Sequence, residues 1–224
     1  AYLIDGFEDE DTFTLDVDPS VYRDITEDDS PLLPDAEHAY SLYSMVASHS
    51  YNHFKTQQTA PMTMCFSIHS SDGSQHISRH MLYFYAALMR RIAAGQVEHL
   101  SKSCGTILLC QDDPALGLVL KTLQEREIPG LTPERIVKLT DSVYPTATIP
   151  AYHYCDDWRV LYVNDCHLLW DGMPRIVHID LVSFPPDVDA IQAEKMNRFM
   201  ERGGVLVLGV LPNTDDKYTD AVAP

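Results

Sequence analysis

Apolar positions along this chain recur with two different periods. From Ile77 to Leu100 the run "ISRHMLYFYAALMRRIAAGQVEHL" repeats them at Met81, Tyr85, Leu88 and Ile92, the spacing of one helix face. Leu116, Val119, Leu120 and Leu123 form a second helical stripe, which Pro129 and Gly130 break. "TPERIVKLTDSVY" predicts a third helix, with Thr132 as its cap and Pro133 at its first position. "PDVDAIQAEKMNRFMERGG" predicts another, closed by Gly203 and Gly204. Near the start, residues 32–54 read as a helix opened by Pro34 and Asp35. Between these lie short continuous apolar runs: "PMTMCFSIH" (61–69), "GTILLCQ" (105–111), "ATIPAYHYC" (147–155), "RIVHIDLVSF" (175–184) and "VLVLGVLP" (205–212). Runs of that length, rich in β-branched residues, predict strands buried on both faces, and their alternation with helices predicts a parallel sheet. Five such strands suit a doubly wound sheet or part of an eight-fold βα barrel. No G-x-G-x-x-G or Walker-type loop follows any of them, which favours the barrel. The predicted fold is therefore α/β, of the (βα)8 TIM-barrel type, expected to be incomplete at both ends in this chain.

Charge divides the chain. Of a net −17, residues 1–37 hold −12, from thirteen acids against the single Arg23. This predicts a solvated, turn-rich acidic segment over 1–35 ahead of a barrel-like domain over 36–224. Such acidity repels phosphate and argues against nucleic acid as a partner. No apolar run approaches the ~20 residues of a membrane span, so no membrane partner is expected. The five cysteines, Cys65, Cys104, Cys110, Cys155 and Cys166, show no disulfide-like spacing, and a reducing cytoplasm is expected.

In either parallel architecture, functional groups gather at the C-terminal ends of the strands. Those ends carry His69, then Asp112 and Asp113, then His153 and Cys155, then Ser183, then Asn213 and Thr214. Adjacent residues on an extended chain point oppositely, so one acid of Asp112-Asp113 can face the rim while the other braces a neighbouring loop. The plainer alternative makes Asp113 a helix N-cap with Pro114 at the first helical position. His153 and Cys155 stand two apart, on one face of a strand, where a thiolate and an imidazole can share one zinc ion. Further ligands could come from Cys166, His167, Asp165, Asp180 or the Asp112/Asp113 pair. Cys166 and His167 are adjacent, face opposite ways, and suit structural packing better.

Four blocks, in this order, resemble the superfamily of cobalamin-independent methionine synthase and uroporphyrinogen decarboxylase, especially its methionine-synthase-like single-barrel branch. "TAPMTMCFSI" is similar to that family's G-P-x-T block, with Ala60 where Gly is usual. "AAGQVEHLSKSCGTILLCQDDPALG" resembles the stretch that ends in D-E-P-A-L, here with Asp113 one methylene shorter. "YHYCDDWRVL" resembles the H-x-C motif followed by D-W. "RFMERGGVLVLGVLPNTDD" resembles the G-G-x-L-x-x-G-x-x-P-T strand. The resemblance implies zinc bound by His153 and Cys155, with Cys166 and Asp180 as weaker candidates. It implies that Asp112 and Asp113 orient the substrate amino group as catalytic acids, beside Trp158. The implied reaction is transfer of a methyl group to a small-molecule thiol such as homocysteine, from a methylfolate or from a corrinoid protein. The family's earlier G-S-x-P strand and later C-G strand, whose Cys is a further zinc ligand, have no counterpart in this sequence. That departure supports a second expectation, a catalytically degenerate barrel kept as a scaffold or subunit. A uroporphyrinogen-decarboxylase-like enzyme is a third, disfavoured because the strand ends offer few arginines beyond Arg159.

Overall fold

The element order follows from where each run can bury its apolar side. It is β1 (Phe13–Thr14), α1 (Pro19–Glu27), β2 (Tyr51–Thr59), α2 (Pro61–Ser67), β3 (Ile68–His69), α3 (Arg79–Leu100), β4 (Cys104–Asp112), α4 (Leu116–Glu125), α5 (Pro133–Asp141), β5 (Thr148–Tyr154), β6 (Ile176–Asp180), α6 (Ala190–Glu201) and β7 (Val205–Gly209). These come from a computed structural model that describes residues 13–33, 43–154, 175–180 and 190–209. The fold is α/β, built on a parallel sheet of order β2-β4-β5-β6-β7, with β1 and β3 as a separate parallel pair. Ser183, Asn213 and Thr214 lie outside the described residues.

Four of the five expected strands form where the apolar runs stand. The first does not. Residues 61–67 are helix α2, and the sheet begins instead at Tyr51, inside the stretch read as helix over 32–54. Pro61 at the first helical position explains the former, its fixed φ suiting a helix start after extended Ala60. The latter was hidden by polarity. "YNHFKTQQT" alternates, with Phe54, Thr56 and Gln58 more buried than Lys55, Gln57 and Thr59, as in a strand with one solvated face. His69, expected at the same rim as Asp112, instead pairs with Thr14 in the small sheet.

Within the five-stranded sheet the strands pair in chain order, without reversal. One cross-strand row reads Gln58, Gln111, Tyr152, Val177 and Leu206. The helices lie against this row. Gln58 donates to the Met89 carbonyl of α3 (3.3 Å), and Gln111 donates to the Thr140 carbonyl of α5 (2.9 Å). Phe199 of α6 shares a core with Tyr152 and Val177. Leu82, Phe84 and Tyr85 of α3, Val119 of α4 and Ile136 of α5 complete that core, each at or below 1% exposure. Burial of each such side chain contributes about 2 kcal/mol. Pro150 is tolerated in central strand β5 because pairing with β6 begins only at Ala151. The turn after α6 uses Gly203 at φ +93°, and the amides of Gly203 and Gly204 close on Met200 and Phe199.

The acidic segment is not wholly solvated. Asp18 caps α1, whose Ile25 is buried and whose Tyr22 stacks on Phe84 at 5.7 Å. Arg91, 6% exposed, then gathers residues 24–30. It donates to the carbonyls of Asp24 (2.7 Å) and Ser30 (2.8 Å) and to the Asp28 carboxylate (2.9 Å). Acids that repel one another in an isolated peptide are here held by a buried guanidinium, whose planar fork suits several acceptors at once. No helix among the described residues is long and apolar enough to cross a membrane.

Candidate functional site

The face of the sheet away from the helices carries the opposite alternation. Its last described row runs Thr59, Asp112, His153, His178 and Val207, one residue from each strand. Parallel strands put all five at the same, C-terminal, end. Asp112 and His153, far apart in sequence, are thereby direct neighbours. His153 Nδ1 lies 3.1 Å from Asp112 Oδ1, with the two side chains 27% and 31% exposed. The approach has ion-pair distance without hydrogen-bond alignment, so Oδ1 lacks an aligned donor. Oδ2 accepts from Gln57 Nε2 at 3.1 Å, and Gln57 Oε1 accepts from Lys55 Nζ at 2.9 Å. On the other side, the rings of His153 and His178 stack at 4.5 Å and 13°. Lys55, Gln57, Asp112, His153 and His178 thus form one polar line across four strands.

Asp113 belongs to the other side of the sheet end. It is 0% exposed, with Oδ1 accepting from Thr63 Oγ1 and Oδ2 from Tyr152 Oη, both at 2.6 Å. Its own amide donates to the His153 carbonyl at 3.1 Å. Thr63 Oγ1 in turn accepts from the Ala115 amide at 3.1 Å. Burial raises the Asp113 pKa above the usual carboxylate value, and the two hydroxyl donors oppose it only in part. The same burial pushes the Tyr152 phenol and the Cys65 thiol well above theirs, with the Asp113 charge adding to both. The N-cap alternative for Asp113 fails, because α4 begins after Ala115 and has no side-chain cap. The oxygens are taken up bracing α2 and β5. Asp113 therefore holds the strand end in place, and Asp112 alone of the two acids is presented on the face with His153.

Cys155, Trp158 and Cys166, with Asp165 and His167, lie outside the described residues. Asp180 is the last residue of β6, paired with Gly209. Among the described residues no three His, Cys, Asp or Glu side chains are grouped so as to hold a metal ion. His178, Gln57 and Lys55 were missed in the sequence. The period-two spacing of Lys55, Gln57 and Thr59 is the signal that could have found the first two, whereas His178 stands alone in an apolar strand. No family model, curated protein or solved structure matches this chain.

Proposed function

We propose that this chain forms part of a methionine-synthase-like βα barrel that carries a methyl group to a small-molecule thiol. The architecture supports a barrel. Right-handed crossovers that always step the same way put every connecting helix on one face and leave the other to close inward. Helices α3, α5 and α6 share one face in that manner. The observation that carries the chemistry is Asp112 against His153 at adjacent strand ends, on the face opposite α3, α5 and α6.

His153 and Cys155 would hold zinc, with Asp112 beside His153 Nδ1 to orient the ring and raise its basicity. The fit rests on that imidazole–carboxylate pair, a common support for a zinc-bound histidine. When bound, zinc keeps a substrate thiol as thiolate at neutral pH. The remaining tasks fall to the chain. Asp112 accepts a substrate ammonium, and the His178 ring restrains His153 from swinging. Asp113, Thr63 and Tyr152 keep the ends of β4 and β5 level. The methyl donor is a methylfolate or a methylcorrinoid protein, and the setting is cytoplasmic.

Metal analysis of the purified chain, with a thiol-methylation assay, tests this reading. One zinc per chain, lost in both Cys155→Ser and His153→Ala along with methylation, is expected. Zinc retained by both variants would sink it. A chain that folds but takes up no zinc at all would instead be a scaffold.

A further inference from the structure

Lys55, Gln57 and Thr59 occupy alternate positions of β2, so they share the face of Asp112 and His153. Lys55 and Gln57 are exposed, and nothing in the core requires them to join. A solvated lysine gains little from a neutral amide, since it gives up water and rotamer freedom for one hydrogen bond. Yet Lys55 Nζ donates to Gln57 Oε1 at 2.9 Å, and Gln57 Nε2 donates to Asp112 Oδ2 at 3.1 Å. The carboxamide therefore bridges a cation and an anion, its acceptor toward the ammonium and its donor toward the carboxylate.

We propose that Lys55 and Gln57 read the head group of the ligand that Asp112 and His153 receive, with the Gln57 carboxamide standing where that head group binds. This rests on the site proposed above, though not on zinc. A molecule with an ammonium and an acid on one carbon offers donor and acceptor in the same order. Its ammonium meets Asp112 and its acid meets Lys55. Both contacts become charge-assisted, which makes them stronger than those to a neutral amide. Gln57, being exposed, swings into water at no cost in packing. Beyond Asp112 the face continues through His153 and His178 to Val207, with Ile176 and Val205 one row back. Val205 and Val207 are 49% and 44% exposed, an apolar bed for a short aliphatic tail. The ligand class is a zwitterionic head group on such a tail, and Lys55 is the residue that demands the acid.

Titration calorimetry of the full chain tests this with three probes: L-methionine, the same molecule without its carboxylate (3-methylthiopropylamine), and without its amine (4-methylthiobutanoate). The parent should bind L-methionine more tightly than either truncated probe. Lys55→Met should weaken L-methionine about tenfold, one charge-assisted hydrogen bond, and leave the amine probe unchanged. Gln57→Ala should bind L-methionine about threefold tighter, as when a site otherwise free a third of the time loses its occupant. Asp112→Asn should weaken L-methionine and the amine but not the acid. A parent that binds none of the probes, or does not distinguish L-methionine from the amine, overturns the proposal. So does a Lys55→Met chain that weakens both equally. A Gln57→Ala chain that binds no tighter removes the placeholder role. Cys155→Ser separates this from the proposed function: head-group selectivity kept without zinc-dependent methylation would support the reader whether or not the methyl-transfer reading stands.

Discussion

Replacing Tyr152 by Phe removes one hydroxyl from beneath the buried Asp113 carboxyl and leaves the ring in the core. The ring is 1% exposed and Asp113 0%, so water does not take the place of the lost 2.6 Å hydrogen bond. What that costs depends on the proton of Asp113. A neutral pair loses about 1 kcal/mol, whereas a carboxylate left with only Thr63 as donor loses about 3 kcal/mol. The folded pKa of Asp113 is raised above the unfolded value by burial. The folded chain therefore binds the extra proton in the window between the two, and parental stability falls as pH rises through it. Removing a donor that favours the charged form raises the folded pKa further. The window extends upward and the total loss across it grows. Urea unfolding of parent and Tyr152→Phe at a series of pH values should show a destabilisation of about 1 kcal/mol in acid that climbs toward about 3 kcal/mol at high pH, with unchanged m. For a chain of 224 residues the larger figure is a fall in Tm of about 6–12 °C. In an Asp113→Asn background the same change should cost about 1 kcal/mol at every pH. A pH-independent cost in the parent background would refute the account of Asp113.

Gly95→Ala should loosen residues 28–33 from α3. The added Cβ would stand 2.3 Å from the Leu32 carbonyl oxygen and 2.9 Å from the Leu33 amide, and backbone cannot yield as a side chain does. A loss of about 2 kcal/mol and new proteolytic cuts within 28–33 are expected, and an unchanged digestion map would count against it. Arg91→Lys keeps the charge but not the fork that reaches Asp24, Asp28 and Ser30, so it should cost about 2 kcal/mol. Two of those partners are uncharged carbonyls, so the loss should persist at high salt, and its disappearance there would show a charge effect instead. Asp112→Asn and His153→Gln should leave the free energy of unfolding within about 0.5 kcal/mol of the parent, since both side chains are partly exposed. A larger drop would mark the pair as structural.

Which parts of this molecule were legible in advance depended on how each run buries its residues. β4, β5, β6 and β7 are continuous apolar runs, and α3, α4, α5 and α6 keep a helical period or a clear cap, so pattern alone located them. Asp112 and His153 were legible because each ends such a run. β2 was not, since its side chains away from the helices are Lys55, Gln57 and Thr59, and a half-solvated strand beside a polar site looks like loop or helix surface. The split of Asp112 from Asp113 follows from strand alternation, but which acid faces which way depends on Thr63 and Tyr152. Those two partners reach Asp113 only through the tertiary fold. α1 was obscured by charge, because the buried partner that gathers its acids, Arg91, lies far along the chain. The stacked His178 was missed for a simpler reason: one histidine in an apolar strand carries no signal until its cross-strand neighbour is known.

The sequential strand order also bears on how the chain is made. Within the five-stranded sheet, neighbouring strands follow one another in synthesis order. A nascent chain can therefore lay down β2, dock β4 on it once α3 has been translated, and add β5, β6 and β7 in turn. No strand already docked has to open to admit a later one. The row that ends in Val207 is filled from one side, Thr59 first, and Asp112 meets His153 only when the third strand of the sheet arrives. A slip of one residue at that docking step would turn Tyr152 onto the face of Asp112 and press His153 toward the core. The Tyr152 hydroxyl opposes that slip, since in the native register it donates to the buried Asp113 carboxyl.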